Sequence, residues 1–233
     1  MIEKKYLRIL RCIKCGGSLK QKQSLLVCDT CDYKYSIIHG IPSLIEGKGG
    51  VDVQITKDKW EQIYKNEHEK LDLEGERQLL SHVKFISSFR NIFKGGICLD
   101  LGCGFSRTSL FLVKMGISFL GLDISIEALK KSKNLLEKEN LKGYFIQANF
   151  LNIPIKDSSI DSVFWGLALE YVQDTERAVS EVYRVLKPGG VLLATFPPLS
   201  LSTITYQQIR GDIPDLPVLK NIIRWLHVDI FKG

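Results

Sequence analysis

The chain has 233 residues, 45% of them hydrophobic, which is ample for one full hydrophobic core and a small additional module. The composition is that of an ordinary soluble globular protein, and no apolar run approaches the roughly 20 residues that span a bilayer. The N-terminus interrupts its apolar residues with Lys and Arg and lacks a signal-peptide pattern, so we expect a cytoplasmic protein without a membrane span.

The formal net charge of +6 is concentrated at the start of the chain. Residues 1–50 hold 9 Lys or Arg and 4 Asp or Glu, an excess of +5, whereas the remainder holds 23 and 22, an excess of +1. A basic module of this kind could face RNA or another anionic partner. It could equally be a small domain with solvated lysines, so the charge leaves both interpretations open.

Two CxxC pairs dominate residues 1–46, and they predict a zinc-ribbon module whose ligands are Cys12, Cys15, Cys28 and Cys31. Two residues between ligands allow one tight turn to aim both sulfurs at the same ion. Two disulfides or four unrelated thiols are the alternatives, and the lack of a secretory signal disfavours the disulfides. Because four thiolates leave no open position on the metal, the predicted zinc is structural and not catalytic.

Residues 51–94 form a predicted helical lead-in that ends at Gly95 and Gly96. After it, strand-like and helix-like patterns alternate. The predicted strands are ICLDLG, ISFLGLD, YFIQAN, IDSVFWG and VLLATF, the last after a KPGG turn. The predicted helices are SRTSLFLVKMG, SIEALKKSKNLLEKENL and DTERAVSEVYRVL. The pattern predicts an α/β fold, with a doubly wound, Rossmann-like, mostly parallel sheet covered on both faces.

Two of these helices carry apolar residues at helical spacing, which predicts the face that each one buries. The predicted buried face of the second helix contains Ala128, Leu129, Ser132, Leu135 and Leu136. That of the third contains Ala178, Val179, Val182, Tyr183 and Leu186.

The stretch CLDLGCGFS places an acid and a Gly-x-Gly turn directly after the first predicted strand of the alternating region. In a doubly wound sheet, ligands bind beyond the carboxyl ends of the strands. The third glycine of the dinucleotide fingerprint is replaced by Arg107, and Asp100 would repel a phosphate but would suit an ammonium. About twenty residues on, Asp123 ends the next strand and could accept both hydroxyls of a ribose. An ammonium and a ribose are both present in S-adenosylmethionine.

In these motifs the sequence resembles the class I S-adenosylmethionine-dependent methyltransferases. The matching stretches are CLDLGCGFS, GLDIS, QANFLNIPIKDSSIDSVFWGLALEYV and RVLKPGGVLLATFP, in the family's order and spacing. The resemblance implies a cofactor-binding methyltransferase domain over residues 95–233. The N-terminal module resembles the zinc ribbon that some of these enzymes carry, among them bacterial ribosomal RNA guanine methyltransferases.

The resemblance implies a role for each residue of the two acid motifs. Asp100 would hold the methionine ammonium, in part through water, and Gly102 and Gly104 would pass beneath the cofactor. Asp123 would bind the ribose, and Ile124 would pack on the adenine.

Further along the chain, the resemblance gives Asn149 the adenine amino group and makes Phe150 a wall of the base site. Trp165 and Gly166 would border the transferred methyl group, and Tyr64 would close over the methionine end. From the residues alone, Asn149 could instead be a plain turn residue. Trp165 could be pure core and Tyr64 an ordinary helix-face contact.

The methyl acceptor and the catalytic groups are less specified. Glu170 and Tyr171 are weak candidates for a catalytic base, because many relatives have His where Tyr171 stands. Cys103, which has no His near it in sequence, is expected to be a bystander. The acceptor is expected to be a small metabolite or an RNA base. The alternative is a non-catalytic protein of methyltransferase fold whose ribbon docks a protein or RNA partner.

The tail after Phe196 has 37 residues without a clear strand pattern. Because the family sheet usually ends with two more strands, we expect these C-terminal strands to be missing from this chain or supplied by another segment or protomer. The sequence carries no signal of an oligomeric state.

Overall fold

The computed structural model describes residues 2–45, 51–66, 93, 95–105, 107–166, 172 and 174–195. Glu170, Tyr171 and the tail after Phe196 lie outside the described residues. No helix in the described ranges has both the length and the apolar character needed to cross a membrane.

The N-terminal part is a short helix followed by a small antiparallel sheet. Helix α1 spans Lys4–Ile9, and the strands are β1 (Leu19–Lys22), β2 (Leu25–Cys28), β3 (Lys34–Ile38) and β4 (Ile41–Pro42), in the order β1-β2-β3-β4. The turn between β3 and β4 places His39 and Gly40 at φ of 51° and 77°, as a two-residue hairpin turn requires. This part is compatible with the predicted ribbon.

The remaining described chain alternates helices and strands. The helices are α2 (Val51–Asn66), α3 (Arg107–Lys114), α4 (Ile126–Lys138) and α5 (Thr175–Val185), with a 3₁₀ turn at Phe150–Asn152. The strands are β5 (Ile97–Leu101), β6 (Ser118–Asp123), β7 (Tyr144–Gln147), β8 (Ile160–Gly166) and β9 (Leu186–Thr195). These strands form one sheet in the order β7-β6-β5-β8-β9, with every neighbouring pair parallel. The predicted Rossmann-like α/β fold is confirmed.

Both faces of the sheet are buried, and alternate residues of each strand contribute to the cores on opposite faces. On one face, Leu99 and Leu101 of β5 belong to a core that continues into the N-terminal module through Tyr6 and Leu10. On the other face, Cys98 belongs to a second core with α3 and α4. The N-terminal module and the large sheet therefore share one hydrophobic core.

The structure confirms most of the predicted face of α4 and corrects that of α5. Ala128, Leu129, Ser132 and Leu136 of α4 are buried, while Leu135 is half-buried. In α5 the buried residues are Ala178, Val182 and Val185. Val179 is 42% exposed and Tyr183 is 82% exposed, so their prediction as core residues is wrong. The helix packs along the i, i+4, i+7 row, which directs the neighbouring apolar positions to solvent.

The prediction is also wrong about where the last strand begins. Leu186, predicted on the helix face, is the first residue of β9, and the KPGG segment lies within that strand. Ile160 of β8 pairs with Leu186 of β9, whereas Ser162 pairs with Val191, so the register shifts between these two pairs. Gly189, which lies in this interval of β9, has φ of 76°. The segment is therefore an irregularity inside the strand, where a glycine permits the positive φ.

Candidate functional site

Two buried carboxylates lie at the carboxyl edge of the sheet. Asp100 and Asp123 stand near the ends of the adjacent strands β5 and β6, and they are only 2% and 7% exposed. The register pairs Leu101 with Leu122, so Asp123 is the next residue beyond that pair. Two acids at this edge form a strongly polar and mostly dry site, at the position where open α/β sheets bind ligands.

The glycine turn after β5 lies directly against the end of β6. Gly102 and Gly104 have φ of 72° and 51°, a region that favours glycine. The amide N–H of Gly102 donates to the Leu122 carbonyl at 2.8 Å, and that of Gly104 donates to Asp123 Oδ2 at 2.8 Å. The side-chain hydroxyl of Tyr64 occupies the space that a Cβ on Gly104 would need. The first acid motif is thus joined to the second by a direct hydrogen bond.

Each carboxylate oxygen of Asp123 accepts a backbone hydrogen bond. In addition to the Gly104 contact, Oδ1 accepts from the Ser125 N–H at 2.8 Å. Burial raises the pKa of Asp123 to about 6, and the nearby Glu61 carboxylate adds to the rise, although the backbone donors oppose it. Each oxygen keeps a second lone pair, so the carboxylate can still accept hydrogen bonds from a ligand.

Helix α2 is fastened over this edge by Glu61. The Glu61 carboxylate accepts hydrogen bonds from the Ser125 hydroxyl and from the N–H groups of Ile126 and Glu127, at 3.0, 2.9 and 3.1 Å. It thereby caps the N-terminus of α4, where a negative charge is favourable. Sequence reasoning missed Glu61, although it stands three residues before Tyr64 and so shares its helix face.

Two more residues of the site were missed because they act through the backbone. The buried Ser132 hydroxyl donates to the Gly104 carbonyl at 2.8 Å. The Gln147 side-chain amide donates to the Ile124 carbonyl at 2.9 Å. Each has a visible signal in the sequence, since Ser132 is a hydroxyl on an apolar helix face and Gln147 is a polar residue ending a buried strand.

The residues predicted around the adenine lie after β6 and β7. Ile124 is half-buried and follows Asp123 directly. Asn149 is the N-cap of the 3₁₀ turn, and its Oδ1 accepts from the Leu151 N–H at 3.0 Å. This contact gives Asn149 the turn function that the sequence left open, while its amide nitrogen remains a potential donor.

Trp165 lies in the core on the side of the N-terminal module. It is 1% exposed, and its ring meets Phe150 edge to face with centroids 6.0 Å apart. Its indole N–H has no hydrogen-bond partner among the described residues, and such buried donors are uncommon. Gly166, the next residue, ends β8 and is half-buried.

The cysteines of the large sheet have the features of packing residues. Burial raises the pKa of the Cys98 thiol to about 12 and that of Cys103 well above its usual value. Since the thiolate is the reactive form, both shifts oppose a nucleophilic role.

Four sulfurs cluster in the N-terminal module. The Sγ atoms of Cys12, Cys15, Cys28 and Cys31 all lie within 4.8 Å of one another. Cys12 and Cys31 have their sulfurs 3.7 Å apart, and those of Cys15 and Cys28 are 3.5 Å apart. These separations fit a tetrahedral metal site with sulfur about 2.3 Å from the ion, and all four residues are free thiols.

Comparison with known proteins supports a methyltransferase domain. Residues 99–194 match the family model described as a methyltransferase domain. The chain is 30% identical over 116 residues to a malonyl-acyl carrier protein O-methyltransferase of Pectobacterium atrosepticum, covering 48% of this chain and 44% of that protein. It is 33% identical over 119 residues to sterol 24-C-methyltransferase ERG6B of Gibberella zeae, covering 50% of this chain and 31% of that protein. The chain thus spans less than half the length of these curated relatives.

Solved structures support the same fold. The PH0226 protein from Pyrococcus horikoshii OT3 superposes with a TM-score of 0.52 at 23% identity, over 67% of this chain and 74% of that one. Residues 99–194 are therefore similar to a methyltransferase domain, and the parallel sheet in which they lie has the same Rossmann-like fold as this solved structure.

Proposed function

We propose that the chain binds S-adenosylmethionine at the carboxyl edge of its sheet and transfers the methyl group to a small-molecule acceptor. The observation that carries this proposal is the joined pair of acid motifs. Asp100 and Asp123 are both buried, and the glycine turn between them is clamped to Asp123 through the Gly104 N–H. The match to a methyltransferase domain supports the same conclusion.

The residues present fit this cofactor chemically. A buried carboxylate at Asp100 suits an ammonium group, because opposite charges attract more strongly in a buried site than in water. The lone pairs left on Asp123 suit the two ribose hydroxyls. Gly102 and Gly104 carry no side chain, and among the described residues the three heavy atoms nearest to the missing Cβ of Gly104 belong to Tyr64 and Asp123. A ligand can therefore lie close to this backbone once the Tyr64 ring moves aside.

When bound, the cofactor supplies a methyl group activated by its sulfonium. The protein's part is to position the acceptor and to exclude water, and a base is needed only for an acceptor that must lose a proton. In this proposal Asp100 and Asp123 orient the two ends of the cofactor, while Ile124 and Phe150 flank its base. Tyr64 on α2 covers the methionine end. Glu170 and Tyr171 remain weak candidates for a base.

The names of the relatives favour a small-molecule acceptor. The two relatives above are named as methyltransferases of a carrier-bound malonyl group and of a sterol. The shared core also gives the N-terminal module a structural use that needs no nucleic acid.

An RNA base is the second candidate acceptor, and one observation favours it. Lys14, Lys22 and Lys34 of the basic module are exposed, which would permit contact with phosphates. A non-catalytic protein whose ribbon docks a partner is the alternative from another class.

We further propose that the four-cysteine cluster holds a structural zinc ion. The sulfur separations support this proposal, because they suit four thiolates around one ion. Four thiolates would leave no coordination position for catalysis, so the ion would be structural.

Transfer of a labelled methyl group tests these alternatives. Full-length protein is incubated with methyl-labelled S-adenosylmethionine and separated fractions of small metabolites, RNA and protein. Label in the small-metabolite fraction is expected, and label only in RNA would replace the proposed acceptor with the second one. The Asp123→Ala variant serves as control, because it should bind no cofactor and transfer no label. Measured cofactor binding without transfer to any fraction would favour the non-catalytic alternative.

A further inference from the structure

The N-terminal module completes the edge of the large sheet beside the proposed cofactor site. Strand β7 is the outermost strand of that sheet, and Ser43, which follows β4, forms a parallel bridge with Gln147 of β7. The Leu44 N–H donates to the Gln147 carbonyl at 2.8 Å. An edge strand that would otherwise be open is thus paired with backbone from the module that contains the cysteines.

The side chain of Gln147 connects this junction to the cofactor site. It is 2% exposed, and both ends of its amide are hydrogen-bonded. Its Oε1 accepts from the Ser43 hydroxyl at 2.7 Å, and its Nε2 donates to the Ile124 carbonyl at 2.9 Å. The adjacent Ala148 N–H donates to the Asp123 carbonyl at 2.9 Å. Two donors from the β7 side therefore fix the backbone of the residues proposed to hold the ribose and the adenine.

Ser43 is in turn fixed by the strands that carry the cysteines. Its N–H donates to the Ser36 carbonyl of β3 at 2.8 Å, and β3 pairs with β2, which ends at Cys28. Tyr35, also in β3, has its hydroxyl 3.0 Å from Cys12 Sγ. Ser43 and the cysteine cluster thus belong to one small module, so a metal that orders the cluster would also help to hold Ser43 in place.

From these contacts we infer that the N-terminal module positions the backbone of the cofactor site, with Ser43 and Gln147 as positioning residues. The inference rests on the proposed function, since it concerns the affinity of the same site. Loss of the Ser43 hydroxyl leaves a buried amide oxygen unsatisfied and releases the Gln147 side chain, so that the Ile124 carbonyl loses a fixed donor.

Three serine variants of the full chain separate this positioning role from general stability. Ser43→Ala removes the hydroxyl, whereas Ser43→Thr keeps it. Ser18→Ala is the matched control. The Ser18 hydroxyl also bonds to a residue of the large domain, since it accepts from Lys156 Nζ at 3.0 Å. That contact is exposed and does not lead to Ile124. The dissociation constant of S-adenosylhomocysteine is measured by calorimetry, and zinc content and thermal unfolding are measured on the same samples.

Ser43→Ala is expected to weaken binding about fivefold, which corresponds to the loss of about one net hydrogen bond. Ser43→Thr and Ser18→Ala should bind as the wild type does, and all variants should retain zinc. Wild-type affinity in Ser43→Ala would overturn the inference and leave the proposed function intact. If the wild type itself binds no S-adenosylhomocysteine, the proposed function fails and the inference fails with it. Removal of zinc from the wild type by a chelator should also weaken binding of S-adenosylhomocysteine. Unchanged affinity would contradict the inference that the N-terminal module positions the cofactor site.

Discussion

The raised pKa of Asp123 predicts that cofactor affinity falls in mildly acidic solution. The carboxyl is 7% exposed, and burial together with the Glu61 carboxylate raises its pKa to about 6. Hydrogen bonds from two ribose hydroxyls favour the ionised form, so protonation competes with binding. With a pKa of about 6 in the free protein, the dissociation constant should rise about fourfold from pH 7 to 5.5 and about tenfold from pH 7 to 5.

The same raised pKa of Asp123 has the opposite effect on the stability of the free protein, which gains from acidification. A carboxyl whose pKa is raised from 3.8 to about 6 binds its proton more tightly in the folded state than in the unfolded state. Its contribution to the free energy of unfolding therefore falls as the pH rises from about 4 to 6, by roughly 3 kcal/mol. Acidification would thus weaken binding while this group favours the fold, which distinguishes titration of the site from partial unfolding.

Calorimetric titration with S-adenosylhomocysteine between pH 8 and 5 is the assay, because this ligand does not itself titrate in that range. Zinc content and circular dichroism are recorded at each pH, since acid can also release a thiolate-bound metal. An affinity that stays constant down to pH 5, with zinc and fold retained, would refute the assignment of Asp123 to the ribose.

Three other changes test separate parts of the structure. Gly121→Ala would place a Cβ 2.7 Å from Phe145 and 2.9 Å from Cys103 Sγ, so it should lower the free energy of unfolding by about 1–3 kcal/mol in denaturant titration, and an unchanged value would contradict the packing. Glu61→Ala removes the cap on α4 and should lower the free energy of unfolding by about 1 kcal/mol. Amide hydrogen exchange in α2 should become faster, and unchanged exchange would show that Glu61 does not hold α2 in place. The purified protein should contain one zinc ion per chain, and Cys15→Ser should lose most of it; metal analysis that finds no zinc in the wild type would reject the site.

The sequence by itself determined the features whose partners lie nearby in the chain. The order of strands and helices follows from local hydrophobic periodicity, and the glycine turn with its two acids is written in short consecutive stretches. The spacing of Cys12, Cys15, Cys28 and Cys31 likewise predicted a cluster that the structure brings within 4.8 Å.

Periodicity alone did not determine which apolar residues of α5 become core. Val179 and Tyr183 lie on the same broad apolar stripe as Ala178 and Val182, so the pattern allows more than one orientation of the helix. Only packing against the sheet decides which row is buried, and it leaves Tyr183 82% exposed.

Tertiary structure alone decided how the site is held together. Glu61 caps a helix 65 residues further along the chain, and Ser43 reaches Gln147 across 104 residues. No local pattern encodes such contacts, because they arise when separate elements pack and their buried polar groups must find partners. The sequence therefore identified two acids at the carboxyl edge of the sheet, whereas only the folded chain shows the hydrogen bonds that connect this edge to the N-terminal module and to the lead-in helix.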